Sequence, residues 1–489
     1  MKQKFQVHLT SIFACILMAG CAGASHQIDV DAVENDGIDI TAASDHLSKA
    51  VQIKTISYSD TSATESDAFN ELNQFIESTY PELFTTLTHE RVNDFSLLFT
   101  WQGSKPELHP IVLLAHTDVV PADTSSNSPW KFQPFSGAMV DEAIWGRGTL
   151  DDKLSAFGIL EATSYLIKKG YKPERSIIIA IGHDEEIGGE KGAAQIAALL
   201  KNRGVRADFV LDEGGVIVTQ GVPGISAPVA LIGIAEKGFL SVKLTAKATG
   251  GHSSMPPRET AVGSISQAIV NLEKHQMPGT LEGPVKEMLV TLAPETSFPF
   301  NFLFSNLWAF GGIIESQLAG SPKSNALIRT TTAPTIIRGG MKDNILPSEA
   351  EAVVNFRLKP GDTVEDVVNH VVKVVDNPNV SVTPFTEWAK PASKVSPYKN
   401  EQFTALAKSI RQSFPGVLVS PYITLAGTDA IHYEIISDNV YRFLPVKLSS
   451  ERLDEIHGVD EHLTQGEYKS LINFYVQVIS NTTGSDRMW

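Results

Sequence analysis

Ile177-Ile178-Ile179-Ala180-Ile181-Gly182-His183-Asp184-Glu185-Glu186 is an apolar run that ends in an acidic cluster. A short apolar run stopped by polar turn residues reads as a strand buried on both faces. The same pattern recurs where Ile111 to Ala115 leads into His116-Thr117-Asp118, and where Phe209 to Leu211 leads into Asp212-Glu213-Gly214. Apolar residues at helical spacing fill Leu150 to Lys169, closed by Gly170, and Ala193 to Lys201. Strands alternating with helices predict an α/β sheet covered on both faces. In such a sheet the site lies outside the carboxyl ends of the strands. The three clusters should therefore meet in one crevice, joined by Asp151-Asp152-Lys153 and His457-Gly458-Val459-Asp460.

Upstream, helices are expected over Ser44 to Lys54 and Ala68 to Ser78, and a strand over Ser96 to Trp101. The pattern changes after Glu236-Lys237-Gly238. A strand at Ser241 to Ala248 is followed by a helix at Thr260 to Leu272 and strands at Ala326 to Ile337 and Glu349 to Leu358. A helix at Val364 to Val375 and a strand at Val380 to Phe385 complete a β-α-β-β-α-β unit, which is the ferredoxin-like order. His457 lies beyond this unit, so the larger domain is discontinuous: residues 41–236 and 396–489, with 237–395 inserted. Residues 276–325 interrupt the small domain with Phe298, Phe300, Phe302, Phe304, Trp308 and Phe310. These rings read as packing a local helix onto the small domain's core, and alternatively as an apolar wall for a greasy substrate.

At 489 residues the chain exceeds one ordinary core. Its 42% hydrophobic and 20% charged residues describe a globular protein, and a net charge of −16 argues against nucleic acid or an anionic membrane surface as partner. Lys2 and Lys4, the apolar run Ile12 to Ala19 and then Gly20 resemble a secretory signal over residues 1–20. Leu17-Met18-Ala19-Gly20-Cys21 resembles a bacterial lipobox, which implies acylation at Cys21 and an exported lipoprotein of the periplasm or outer membrane. An ordinary signal cut near Ala22-Gly23-Ala24 is the alternative. Residues 21–40 then read as a flexible tether. Cys15 and Cys21 are the only cysteines, so any metal must be held by nitrogen and oxygen.

So many acids cannot share a crevice without cations. The simplest assignment is a two-metal hydrolase centre. His116 and Asp212 hold one ion, Glu186 and His457 the other, and Asp151 bridges them. Three carboxylates and a hydroxide then neutralise two divalent ions. Nitrogen and oxygen ligation favours zinc, with cobalt or manganese also fitting. Asp212 and Glu213 compete for one ligand position. Glu185 is the expected general base, and Asp118 should orient the His116 ring. Asp152 reads as a cap for the following helix. In the small domain, His252 in Gly250-Gly251-His252-Ser253-Ser254 reads as an oxyanion donor, reaching the cleft by closure or from a second subunit. Asn344 and Arg357 are candidates to bind a substrate carboxylate, as are the free amides after Gly427-Thr428-Asp429. Thr464 to Glu467 is a capping box.

These clusters, in this order, resemble the dinuclear zinc metallopeptidase family of aminoacylase and carboxypeptidase S. Ala115-His116-Thr117-Asp118-Val119-Val120-Pro121, Gly146-Arg147-Gly148-Thr149-Leu150-Asp151-Asp152-Lys153 and His183-Asp184-Glu185-Glu186-Ile187-Gly188-Gly189 carry the likeness. Trp130 with Pro134-Phe135 resembles the carboxypeptidase S branch, which includes secreted N-fatty-acyl amino acid hydrolase/synthases. The resemblance implies a zinc-exopeptidase-like catalytic domain with a mainly parallel sheet, and a cis peptide after Asp151. It also implies a ferredoxin-like lid that mediates homodimerisation in many members. It favours Asp212 over Glu213. The activity implied is hydrolysis of amides in peptides or N-acyl amino acids with a free carboxylate. A carboxypeptidase or dipeptidase is the alternative, and a non-catalytic ligand-binding lipoprotein is the alternative of another class.

Overall fold

The computed structural model describes residues 24–58 and 66–484. The export segment and Cys21 lie outside them. The core is a ten-stranded mixed sheet centred on Ile111–His116, which lies parallel to both Ile177–Gly182 and Phe209–Asp212. Every residue of these three strands is buried, as expected for strands sandwiched between helical layers. Val440–Arg442 continues the sheet parallel to Phe209–Asp212, and Leu418–Thr424 runs parallel to Val229–Glu236. Parallel alignment brings the carboxyl ends of the central strands to one edge, which is why His116, the Asp184 loop and Glu213 sit together.

Lys153–Lys168 is the central helix. Lys153 is fully buried and its ammonium donates to the carbonyls of Ala50 and Ile53, 2.8 and 2.6 Å away. Burial pushes its pKa down to about 7. The last helix, Gln465–Thr483, opens with the expected capping box of Thr464 and Glu467 and packs beside Lys153–Lys168.

The inserted domain has four antiparallel strands in the order Thr331–Gly339, Glu349–Leu358, Gly238–Lys247, Val380–Pro384. Its own core joins the sheet to the helices Ala261–Lys274 and Val364–Val375. This is the ferredoxin-like arrangement.

Three expectations need correction. The strand read over Ala326 to Ile337 begins only at Thr331; Pro322–Ile328 is helical because Ser321 caps it and Pro322 occupies its first turn. Residues 24–39 are not a free tether but a strap. Gln27 bonds both backbone groups of Val419, the Val33 amide donates to Gln412 and Asn35 bonds Asn473, while Ile28 and Ile38 pack on the core. The aromatic insertion does not pack onto the lid's core. Its helices close around Leu289, Ala293, Phe304 and Ile314, and Pro284–Leu292 lies against the catalytic strand Leu418–Thr424.

Candidate metal centre

Asp151 occupies the middle of the crevice. One carboxylate oxygen lies 3.0 Å from His116 Nε2 and the other lies 3.0 Å from His457 Nε2. The Asp151–Asp152 peptide is cis. His457 Nε2 is also 3.0 Å from Glu186, and His116 Nε2 is 3.4 Å from Glu213. His116, Asp152 and Glu213 form one group of donors, and Asp151, Glu186 and His457 a second. A tetrahedral ion with bonds of about 2.1 Å has donor–donor edges of about 3.4 Å. The imidazole–carboxylate separations of 3.4 Å in the first group and 3.0 Å in the second are close to that edge.

The ring tautomer agrees. His116 Nδ1 donates to the Asp118 carbonyl 3.0 Å away, which turns Nε2 toward Asp151 and Glu213 as the atom that could ligate a metal once deprotonated. Asp118 does more than hold the ring. Its carboxylate lies 3.3 Å from Nδ1 and accepts the Ser57 hydroxyl at 2.7 Å and the amides of Glu185 and Glu186 at 3.1 Å. It thus fixes both acidic residues relative to His116. Glu185 reaches to 3.9 Å from His116 Nε2.

The electrostatics show a cluster that lacks positive charge. Burial raises the pKa of Glu185 well above the carboxylate range, and Glu213 and Asp429 add repulsion. Burial and Asp151 push Glu213 up to about 8. Burial alone would lower the His116 pKa, but its bonds to Asp118, Asp151 and Glu213 hold it well above the usual imidazole value. Hydrogen bonds to Asp151 and Glu186 raise His457 to about 10. Protons or metal cations must balance these acids.

Two neighbours differ from the sequence reading. Asp212 accepts the Glu213 amide with one oxygen, and its other oxygen is buried without a hydrogen-bond partner. Glu213, not Asp212, faces His116, because adjacent side chains at a strand end point to opposite sides. Asp152 sits at the N-cap position of its helix yet makes no side-chain cap; its carboxylate turns toward the His116 amide, 3.4 Å away.

Sequence reasoning missed Glu461. It is fully buried, bonds Arg147 at 2.6 Å and accepts the amides of Gly148, Leu150 and Asp151. Arg147 in turn donates to the carbonyls of His457 and Gly458. This pair fastens the Asp151 loop to the His457 loop. The signal was available: Arg147 lies within the Gly146–Lys153 motif, and an acid follows four residues after His457. Asp429 is also buried, with neither oxygen bonded, so it is no helix cap. A side chain at Gly189, where φ is +70°, would collide with it at 2.1 Å.

The candidates on the lid, and Gly427 on the catalytic domain, lie outside these two groups of donors. His252 is exposed, and its Nδ1 accepts both the amide and the hydroxyl of Ser254. Asn344 is exposed beside it, with its carbonyl accepting the Ser253 amide. Arg357 is half-buried over the Phe239 ring. Gly427 is exposed in its loop near Glu236, which binds Arg442 and Thr428.

Imidazoles and carboxylates paired about one aspartate, at the strand ends of an α/β sheet and beside an inserted lid, define a metal-dependent hydrolase. The chain belongs to peptidase family M20/M25/M40, whose sequence pattern matches residues 112–481. It is an enzyme that hydrolyses amide bonds, so the non-catalytic reading falls. It is 40% identical to a probable carboxypeptidase S-like protein of Dictyostelium discoideum, over 97% of this chain and 92% of that protein. It is likewise 40% identical to the N-fatty-acyl-amino acid synthase/hydrolase of Xenopus tropicalis, over 89% of this chain and 85% of that protein. Its fold is similar to that of an M20 family metallo-carboxypeptidase from Sulfolobus solfataricus. That likeness has a TM-score of 0.64 at 18% identity and covers 91% of this chain and 99% of the other.

Proposed function

We propose that this enzyme hydrolyses N-acyl amino acids that bear a free carboxylate, using two zinc ions. His116 and Glu213 would hold one ion, with Asp152 beside it. Glu186 and His457 would hold the second, with Asp151 between the two groups. The observation that carries this reading is that the two oxygens of Asp151 face different imidazoles, each at 3.0 Å. Bound there, the ions would supply the acidification of water and the polarisation of the scissile carbonyl. Cobalt and manganese suit the same donors.

Glu185 takes the proton of the attacking water and delivers it to the leaving nitrogen. Its carboxylate, 3.9 Å from His116 Nε2, lies beside the donors that would hold the first ion. Asp118 acts as a positioning residue for Glu185 and His116 together. Arg357, Asn344 and the Gly427 loop are assigned to the substrate carboxylate, and His252 to the developing oxyanion. Because His252 is exposed on the lid, it reaches the reaction by lid closure or from a second copy of the chain.

The substrate class is supported by the likeness to the frog enzyme, whose name states an N-fatty-acyl amino acid activity. The likeness to carboxypeptidase S-like proteins keeps release of C-terminal amino acids as the second reading. The Cys21 lipobox adds an exported lipoprotein to the proposal. Rates on acetyl-, decanoyl- and oleoyl-amino acids beside dipeptides test it. Long-chain acyl substrates should be turned over fastest; faster dipeptide hydrolysis would reverse the assignment. Glu185→Gln should keep its metals and lose about 10²- to 10⁴-fold in kcat.

A further inference from the structure

The aromatic insertion carries side chains that neither the metal centre nor a core uses. From Thr296 to Ile314 the chain has no charged residue, and six of these nineteen residues are aromatic. Phe304 is buried, with Phe300 and Phe310 packed against its cluster. Phe298, Trp308 and Ile313 instead point outward, 77%, 88% and 59% exposed. On the helix Leu307–Leu318, the exposed residues Trp308, Ala309, Gly312, Ile313 and Ser316 form one uncharged face, while Ile314 is buried on the other. A helix in water normally turns a charged face outward; an exposed face with Trp308 and Ile313 and no charge marks an interaction site.

A second observation bears on what that face meets. The Ser25 hydroxyl donates to Glu295, three residues before Phe298, so the strap begins against this same cluster. The four residues from Cys21 to Ser25 span at most about 14 Å. On the lipoprotein reading proposed above, on which this step rests, a lipid on Cys21 would be tethered within that length of Ser25 and of the cluster that Ser25 touches.

We propose that the insertion docks on a lipid bilayer surface, with Phe298, Trp308 and Ile313 entering the boundary between headgroups and acyl chains. Lysine and arginine are absent from the face, so the attraction is apolar and requires no anionic lipid. Stable attachment takes two signals, and this patch supplies the second. The inference holds whichever amide is the substrate.

Trp308 reports the contact directly. The full chain is mixed with phosphatidylcholine vesicles whose acyl chains are brominated, which quench an indole they touch. The native chain should be quenched, and Trp308→Phe should lose that quenched fraction. Phe298→Ser combined with Ile313→Ser should weaken partition at least about tenfold, with circular dichroism and hydrolysis of a short soluble substrate unchanged. Quenching as strong in Trp308→Phe as in the native chain overturns the proposal, as does failure of the native chain to bind. A lipid-free dimer that Trp308→Ser dissociates would also overturn it, by making the face a contact between two copies.

Discussion

The two halves of the metal centre are held in different ways. His116 ends a buried central strand, is 1% exposed, and has its ring tied to Asp118. His457 stands in a loop at φ +59°, its side chain half exposed, and its ring meets the carboxylates of Asp151 and Glu186. One position is built by the sheet itself. The other exists because a distant loop is fastened onto it by Glu461 and Arg147. The fold thus fixes one ion's seat and leaves the second dependent on a buried ion pair.

The largest effect should come from cutting that fastening. Glu461→Gln leaves the Arg147 charge buried without its partner, and should cost about 3–5 kcal/mol in urea unfolding. Metal content should fall toward one ion per chain. Loss of both ions together would show that the halves are not separable. Asp118→Asn probes the sheet-built half and should weaken metal affinity about 10- to 100-fold in chelator competition.

A smaller effect concerns protons. In the metal-free chain the His457 pKa is raised to about 10 and that of Glu213 to about 8, so both groups hold protons at neutral pH. Metal must displace these protons. Affinity should therefore rise with pH from 6 to 8, and calorimetry in buffers of different ionisation enthalpy should register proton release. The smallest effect should be that of Asp212→Asn, which preserves the oxygen that accepts the Glu213 amide. Its metal content should match the native chain, while Glu213→Gln should lose an ion. The reverse pattern would restore Asp212 as the ligand.

The sheet-built half was the more legible in sequence. Apolar runs that stop at His116, at the Asp184 cluster and at Asp212 mark strand ends, and parallel order brings strand ends together. The choice between Asp212 and Glu213 was not legible, because period-two alternation says that one of them faces the crevice but not which. Asp152 misled for a related reason: an acid before a helix fits a cap, and only the fold turns it toward His116. The role of Glu461 depends on a contact with Arg147 across more than three hundred residues: the two motifs mark where the partners lie, but not that they pair. The strap over residues 24–39 was missed because Gln27, Val33 and Asn35 hold it mainly through backbone and amide bonds, which leave no apolar period to read. The aromatic insertion announced its rings, but not that Pro284–Leu292 would anchor them to the catalytic sheet.

Anomalous diffraction from crystals of the zinc-loaded chain tests the bridging role of Asp151 most directly. Two peaks should flank its carboxylate, one touching His116 and Glu213 and the other touching Glu186 and His457. A single peak, or two peaks that do not share Asp151, would contradict it.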